Sequence, residues 1–154
     1  QHQRECGMSF LSAVRASASG LTAQRIRLDV IANNLANAET TRTADGRPYQ
    51  REVVRFLPQG ATPFSLLLDR LRGGSGTATA GVAVSEITVD PTPPRLVYDP
   101  THPDANAEGY VAYPNINPAT ELVDLLAANR AYQANVTVLN AAKQMALKAL
   151  EIGK

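Results

Sequence analysis

The sequence predicts a mainly α-helical protein with a small β-rich insert. Three observations support this fold class. One proline-free stretch lies near the N-terminus, a second fills the C-terminus, and nine of the ten prolines fall between them. We therefore expect long N- and C-terminal helices that form a coiled-coil-like hairpin around a central small β domain.

Composition divides the chain into four consecutive parts. Residues 1–7 follow no periodicity and are expected to be a disordered leader, with Met8 as an alternative start of the natural protein. The other parts are an N-terminal helix at 8–38, a β-rich middle domain at 39–117 and a C-terminal helix at 118–154. A flexible loop is expected at 59–81, which is rich in Gly, Ser and Thr.

The first helix is predicted from a seven-residue apolar repeat. Val14, Leu21, Leu28 and Leu35 are spaced seven residues apart. This spacing places a narrow apolar stripe on one side of a helix, where it can contact a second helix. A helix over 8–38 would be roughly 45 Å long, which is too long for the core of so small a domain.

Three asparagines near the end of this helix, Asn33, Asn34 and Asn37, need an explanation, because asparagine is a poor helix former. One interpretation is that they end the helix. The other is that their amides form a hydrogen-bonding face that contacts the β insert or another subunit. Both interpretations stay open at the level of the sequence.

The middle domain carries three strand candidates and one short helix. Residues 49–57, 82–89 and 95–98 are rich in β-branched or aromatic side chains, and a turn is expected at 44–48. Residues 63–72 could form one short helix.

The last helix is predicted over 119–152, with Pro118 before its start and Gly153 at its end. Its 3-4 spaced seam positions are Leu122, Leu125, Asn129, Tyr132, Val136, Leu139, Lys143, Ala146 and Leu150. Polar residues at two of these positions would select register and partner number. The simpler alternative is a helical hairpin core within one molecule. A hairpin with one stripe per helix buries little surface, so most of its stability should come from neighbouring copies.

Composition argues against most other functions. The net charge of +1 gives no reason to expect nucleic acid, and no apolar run reaches the roughly 20 residues of a membrane span. Cys6 is the only cysteine, and His2 and His102 are too few for a histidine metal site. Gly73–Gly76 lacks the Lys-Ser/Thr ending of a phosphate loop. We expect no enzyme activity and no catalytic, cofactor-binding or metal site.

The N-terminus has no apolar block of the kind that drives classical export. Ser residues and Arg15 interrupt its apolar content, so no cleaved signal peptide is expected.

Several motifs resemble one family. Residues 32–37, together with 20–24 and 28–30, resemble the N-terminal signature of bacterial flagellar rod and hook axial proteins. The stretches similar to the proximal-rod members of the flagellar basal-body rod proteins are 45–51, 96–105, 109–115, 128–136 and 139–143. Two departures concern residues 61–76, which are longer than usual in the family, and Asn129, where Ser is common.

The resemblance implies a structural subunit of the bacterial flagellum whose terminal helices form the axial coiled-coil layer of the rod. It implies a drive shaft that transmits torque for flagellar motility across the periplasm. The implied partners are copies of the chain itself, the rod proteins FlgB, FlgF and FlgG, FliE at the base, and the type III flagellar export apparatus. No membrane-spanning segment is implied.

The seam and the asparagines together predict an assembly interface. Its residues are Val14, Leu21, Leu28, Asn33, Asn34, Leu35, Asn37, Leu122, Leu125, Asn129, Tyr132, Asn135, Val136 and Leu139. The alternatives to a proximal-rod subunit are another flagellar rod or hook axial component and a non-flagellar coiled-coil adaptor.

Overall fold

The structure is a computed structural model that describes residues 2–59 and 81–152, with side chains from residue 12 onward. Within these ranges the elements follow the order α1 (His2–Ala36), β1 (Glu52–Pro58), β2 (Val82–Val89), β3 (Arg95–Tyr98), β4 (Tyr110–Tyr113) and α2 (Pro118–Ile152). The predicted class, mainly helical with a small β portion, is confirmed.

The two helices lie close to their predicted bounds. Helix α1 starts at His2, six residues before the predicted start, and ends at Ala36, two residues before the predicted end. Its end is set by Asn37, whose side-chain Nδ2 donates to Asn33 O at 2.9 Å and whose O accepts from Thr40 N at 3.1 Å. These bonds satisfy backbone and side-chain groups where the helical ladder stops.

Helix α2 covers almost the same residues as predicted, and its start is capped by Asn117. The Oδ1 atom of Asn117 accepts from Ala119 N at 3.0 Å, and its backbone O accepts from Glu121 N at 3.0 Å. Pro118 takes the first helical position, where its missing N–H costs nothing. The sequence interpretation used Pro118 but did not identify Asn117 as the cap.

Two small two-stranded sheets form the β portion. Strands β1 and β2 pair, and the flanking bonds from Asp90 N to Arg51 O and from Gln59 N to Gly81 O give them opposite directions. Strands β3 and β4 pair antiparallel, with Arg95 opposite Tyr113 and Tyr98 opposite Tyr110.

Three of these strands were predicted, and β4 was not. Strand β1 starts at Glu52, three residues after the predicted start at Tyr49, and Tyr49 N donates to Thr40 O at 3.1 Å outside the strand. Strand β4 is as short as β3, and its Tyr and Val residues are typical of a strand, but the prediction did not use them. The predicted helix at 63–72 and most of the predicted loop at 59–81 lie outside the described residues.

Contacts group the chain into two compact units. Unit 1 combines the described parts of 1–25, 56–85 and 130–154, and unit 2 combines 26–55 and 86–129. Both helices therefore contribute to both units. The predicted division into four consecutive parts is not tested by this grouping and stays a prediction.

Unit 1 is held by small side chains. A Cβ atom on Gly20 of α1 would lie 2.9 Å from Nδ2 of Asn135, so α1 and α2 are in close contact there. The Oγ atom of Ser19 donates to Ala16 O at 2.8 Å and accepts from Val82 N at 3.0 Å, which ties α1 to the first residue of β2. Ala23 and Ala142 are buried.

Unit 2 has a small apolar core with two buried polar side chains. Val30, Ile31, Val111, Pro114 and Ala128 are buried, and so are Asn34 and Glu121. The core is aliphatic and narrow, so the polar groups within it must be matched closely.

Candidate functional site

Two consecutive residues at the start of β1 are held by the two helices in unit 2. Helix α1 binds the backbone of Glu52, and helix α2 binds the side chain of Arg51. We call the set Asn34, Tyr49, Arg51, Glu52, Asp90, Glu121 and Asp124 the junction.

Asn34 forms the α1 side of the junction and is only 1% exposed. Its Nδ2 donates to Glu52 O at 2.8 Å, and its Oδ1 accepts from Glu52 N at 2.9 Å and from the Tyr49 hydroxyl at 3.2 Å. The amide pairs both backbone groups of Glu52, as a neighbouring strand would. The last turns of α1 are thereby fixed to the first residue of β1.

Arg51 forms the α2 side. Its Nε donates to Glu121 Oε1 at 2.7 Å, and its Nη atoms lie 3.6 Å from Asp90 Oδ2 and 3.8 Å from Asp124 Oδ2. Arg27 of α1 lies 3.8 Å from the other oxygen of Asp124. One guanidinium therefore connects the start of β1 with the end of β2 and the first turns of α2.

Glu121 is the most constrained member of this group. Its side chain is 1% exposed, and its Oε2 atom is buried with no hydrogen-bond partner in the described structure. Because an uncompensated buried carboxylate is very unfavourable, Glu121 depends on the hydrogen bond and charge of Arg51.

The surroundings raise the pKa of two junction residues, Arg51 and Tyr49. Burial acts to lower the pKa of Arg51, but the hydrogen bond and charge of Glu121, with Asp90 and Asp124, outweigh it, so the pKa is raised. Burial raises the pKa of Tyr49, and the charges of Glu52 and Glu121 raise it further. Arg51 is therefore cationic, and Tyr49 keeps the proton that it donates to Asn34.

Asp90 is held ionised by a local turn. The hydroxyl and the backbone N–H of Thr92 both donate to Asp90 Oδ1, and these hydrogen bonds lower the pKa of the carboxyl. Asp90 thus faces Arg51 as a carboxylate.

Unit 2 also contains a cavity of about 200 Å³ beside the junction. It is lined by Arg47, Pro48, Tyr49, Gln50, Arg51, Asp90, Thr92, Pro94 and Asn115. Small-molecule sites usually measure about 300–1,000 Å³. The cavity is therefore small for a ligand.

Two further features of the described ranges bear on function. No three of their His, Cys, Asp or Glu side chains are placed to hold a metal ion. Neither α1 nor α2, over its described length, is long and apolar enough to cross a bilayer.

Comparison with known proteins matches both ends of the chain to flagellar rod families. Residues 15–42 match the family described as flagella basal body rod protein, and residues 107–152 match the one described as flagellar basal body rod FlgEFG protein C-terminal. Asn34 lies in the first match and Glu121 in the second.

Full-length relatives decide the family. The flagellar basal-body rod protein FlgC of Bacillus subtilis (strain 168) is 51% identical over 96% of this chain and 100% of its own length. FlgC of Borreliella burgdorferi is 44% identical over 94% and 98%, and FlgC of Escherichia coli O6:H1 is 40% identical over 96% and 100%. This chain belongs to the FlgC family of flagellar basal-body rod proteins. The predicted family is confirmed.

In this FlgC-family chain the fourteen predicted interface residues differ in exposure. Asn34 is buried, and Asn33, Leu122 and Asn129 are exposed. The half-buried ones are Val14, Leu21, Leu28, Leu35, Asn37, Leu125, Tyr132, Asn135, Val136 and Leu139. Their role in assembly is untested and stays a prediction.

The three asparagines of α1 divide between the two interpretations of the sequence. Asn37 bonds back to Asn33 O and ends the helix. Asn34 contacts the β insert through Glu52. Asn34 and Asn37 therefore have different roles, while Asn33 is exposed and contributes its backbone O to the bond with Asn37.

The sequence interpretation missed two features of the FlgC-family chain. One is the charged part of the junction, formed by Arg51, Asp90, Glu121 and Asp124. The other is an exposed apolar surface of α2, of which only Leu122 and Leu150 belong to the predicted seam. It consists of Leu122, Val123, Leu126, Val138, Met145, Leu147, Leu150 and Ile152, each at least 46% exposed.

Part of the second feature was readable from the sequence. Val138, Met145 and Ile152 lie seven residues apart, parallel to the predicted seam, and Leu122, Val123 and Leu126 widen the apolar content of the first turns. A helix that is apolar on more than one side has more apolar surface than one partner helix can cover.

Proposed function

We propose that this chain is a structural subunit of the proximal flagellar basal-body rod and that it transmits torque from the motor towards the hook. FlgC-named relatives that match over nearly its whole length support this role. The mechanism is mechanical. Helices packed against neighbouring subunits carry torsion through many weak side-chain contacts, and no single contact has to be strong.

The apolar surface of α2 is the observation that carries the proposal. Met145 is 60% exposed, Leu150 71% and Ile152 86%, which is unusual for so many large apolar side chains on one helix. Complete burial of such a side chain contributes roughly 1.5–3 kcal/mol. Neighbouring subunits would supply the cover that the single chain lacks.

The terminal helices are proposed to form a coiled-coil-like hairpin in the axial layer of the rod, through the predicted interface. Helix–helix contacts in each unit support this arrangement. In unit 1 Gly20 lies against Asn135, and in unit 2 Arg27 lies 3.8 Å from Asp124. The middle domain would then lie outside the axial layer, between neighbouring subunits.

The proposed partners are further copies of the chain and other rod proteins, and the proposed location is the rod where it crosses the periplasm. We also propose that the chain leaves the cytoplasm through the flagellar export apparatus. The small buried core supports this route, because a chain with few buried apolar side chains is readily unfolded for passage through a narrow channel.

Substitution on the apolar surface of α2 tests the proposal. In a motile strain that depends on this chain, Met145→Asp is expected to abolish or strongly reduce swimming, because a carboxylate would have to be buried between subunits. Gln144→Asp at the adjacent exposed position is the matched control and should leave swimming normal. Swimming rings in soft agar and electron micrographs of basal bodies provide the readout. Normal rods and swimming with Met145→Asp would refute the role of this surface.

A further inference from the structure

The junction joins both helices to two neighbouring residues of the chain. Glu52 is bound through its backbone by Asn34 of α1, and Arg51 is bound through its side chain by Glu121 of α2. Because Arg51 and Glu52 share a peptide bond, a displacement of one moves the other. The two helices are therefore linked through one peptide unit, in addition to the ion pair of Arg27 with Asp124.

A movement of the peptide between Arg51 and Glu52 would leave buried polar groups on both helices without partners. If Glu52 shifts, the buried amide of Asn34 loses both of its hydrogen bonds to the Glu52 backbone at once, and groups left unpaired in the interior carry the full desolvation penalty. If Arg51 shifts, Glu121 remains as an uncompensated buried carboxylate. A displacement of this peptide would therefore break contacts of both helices.

The charges around Arg51 make the carboxylates more dependent on its position. Two arginines, Arg27 and Arg51, face three carboxylates, Asp90, Glu121 and Asp124, so the group carries one excess negative charge. Without the guanidinium of Arg51, the carboxylates would repel one another with only Arg27 to offset them. The group is stable only while Arg51 is in place.

We propose that the junction is a two-sided latch that couples the docking of α1 residues 26–36 to that of α2 residues 118–129. The two segments dock on the start of β1 together and are released together. This coupling belongs to the folding of unit 2 and does not depend on the proposed function.

Hydrogen exchange followed by mass spectrometry on the full-length chain tests the latch, with one substitution on each helix. Asn34→Ala lies on α1, and Glu121→Gln lies on α2. In the described hydrogen bonds these two side chains share no partner residue. We expect each single variant to speed amide exchange about tenfold or more in both segments, including the one that it does not touch.

The double variant gives the second readout. For independent contacts the two effects on the opening equilibrium multiply. For a latch, the first substitution already releases both sides, so the double variant should exchange within about threefold of the faster single variant. Arg42→Met is the control in the same unit, because Arg42 is 70% exposed and its pair with Asp104 is 3.6 Å long. It should change exchange in neither segment by more than about twofold.

Three outcomes would overturn the proposal. In the first, Asn34→Ala speeds exchange only in 26–36 and Glu121→Gln only in 118–129. In the second, the double variant shows the product of the two single effects. In the third, both segments of the unsubstituted protein exchange as an unfolded chain does. If the first variants do not fold, Tyr49→Phe and Asn117→Ala make the same cycle with milder losses, because Asn117 bonds only to the first turn of α2 in the described hydrogen bonds. Additive behaviour in that cycle would equally refute the latch.

Discussion

At the residue scale, Asn34 differs from Asn33 and Asn37 because its amide binds the backbone of β1. Asn33 is exposed, Asn37 ends the helix, and Asn34 pairs both backbone groups of Glu52. An asparagine is suited to the last role because its amide carries a donor and an acceptor side by side. A leucine there would pack but would leave the Glu52 backbone unpaired, and an aspartate would lack the donor.

Tyr49 gives the junction a pH dependence in alkaline solution. The pKa of Tyr49 is raised from its ordinary value of 10.0, so the folded state holds this proton to higher pH than the unfolded state. The corresponding stability is fully present below the unfolded pKa and is lost as the pH rises from about 10 through the folded pKa. Tyr49→Phe should lower the free energy of unfolding at neutral pH by about 1 kcal/mol, through the lost bond to Asn34, and should flatten its fall above pH 10.

Urea unfolding as a function of pH measures both effects, and the tyrosinate absorbance difference between the two proteins follows the ionisation itself. Tyr110→Phe is the control, because a phenylalanine retains the ring contact with Tyr98. If the original protein and Tyr49→Phe lose stability equally above pH 10, Tyr49 does not supply this pH dependence.

At the element scale, the long helices could be predicted and the junction could not. Repeats of three, four and seven residues are local, so α2 and most of α1 follow from the sequence. Arg51 and Glu121 are 70 residues apart in the chain, and no local pattern indicates that they meet. Strand β4 could have been predicted from its Tyr and Val residues, whereas its pairing with β3 could not.

The cap of α2 can be tested as an element-scale feature. Asn117→Ala removes the side-chain acceptor for Ala119 N and should lower the free energy of unfolding by about 1 kcal/mol. Glu121 lies one turn further on, so a frayed first turn should also weaken its pair with Arg51. Asn115→Ala, an exposed position just before the helix, serves as the control. Equal midpoints of urea unfolding for the two variants would argue against the cap.

At the scale of the whole molecule, the chain has a small core that contains the buried polar side chains of Asn34 and Glu121. It also has many large apolar side chains exposed on α2. Hydrophobic residues make up 44% of the sequence, yet many of the large ones on α2 are exposed. The proposed explanation is that some apolar side chains are buried when the chain folds and others only when subunits assemble. In this proposal the junction orders unit 2 within one chain, and neighbouring subunits would cover the apolar surface of α2. Periodicity predicted that α2 has a helix-binding seam, but only coordinates could separate its half-buried side from its exposed one.

An image reconstruction of basal bodies from a strain that depends on this chain is the most direct test of its proposed place in the rod. We expect density for the chain in the proximal rod, with α1 and α2 in the axial layer and Met145, Leu150 and Ile152 buried against neighbouring subunits. Basal bodies that lack the chain, or a rod in which these three side chains remain exposed to solvent, would contradict it.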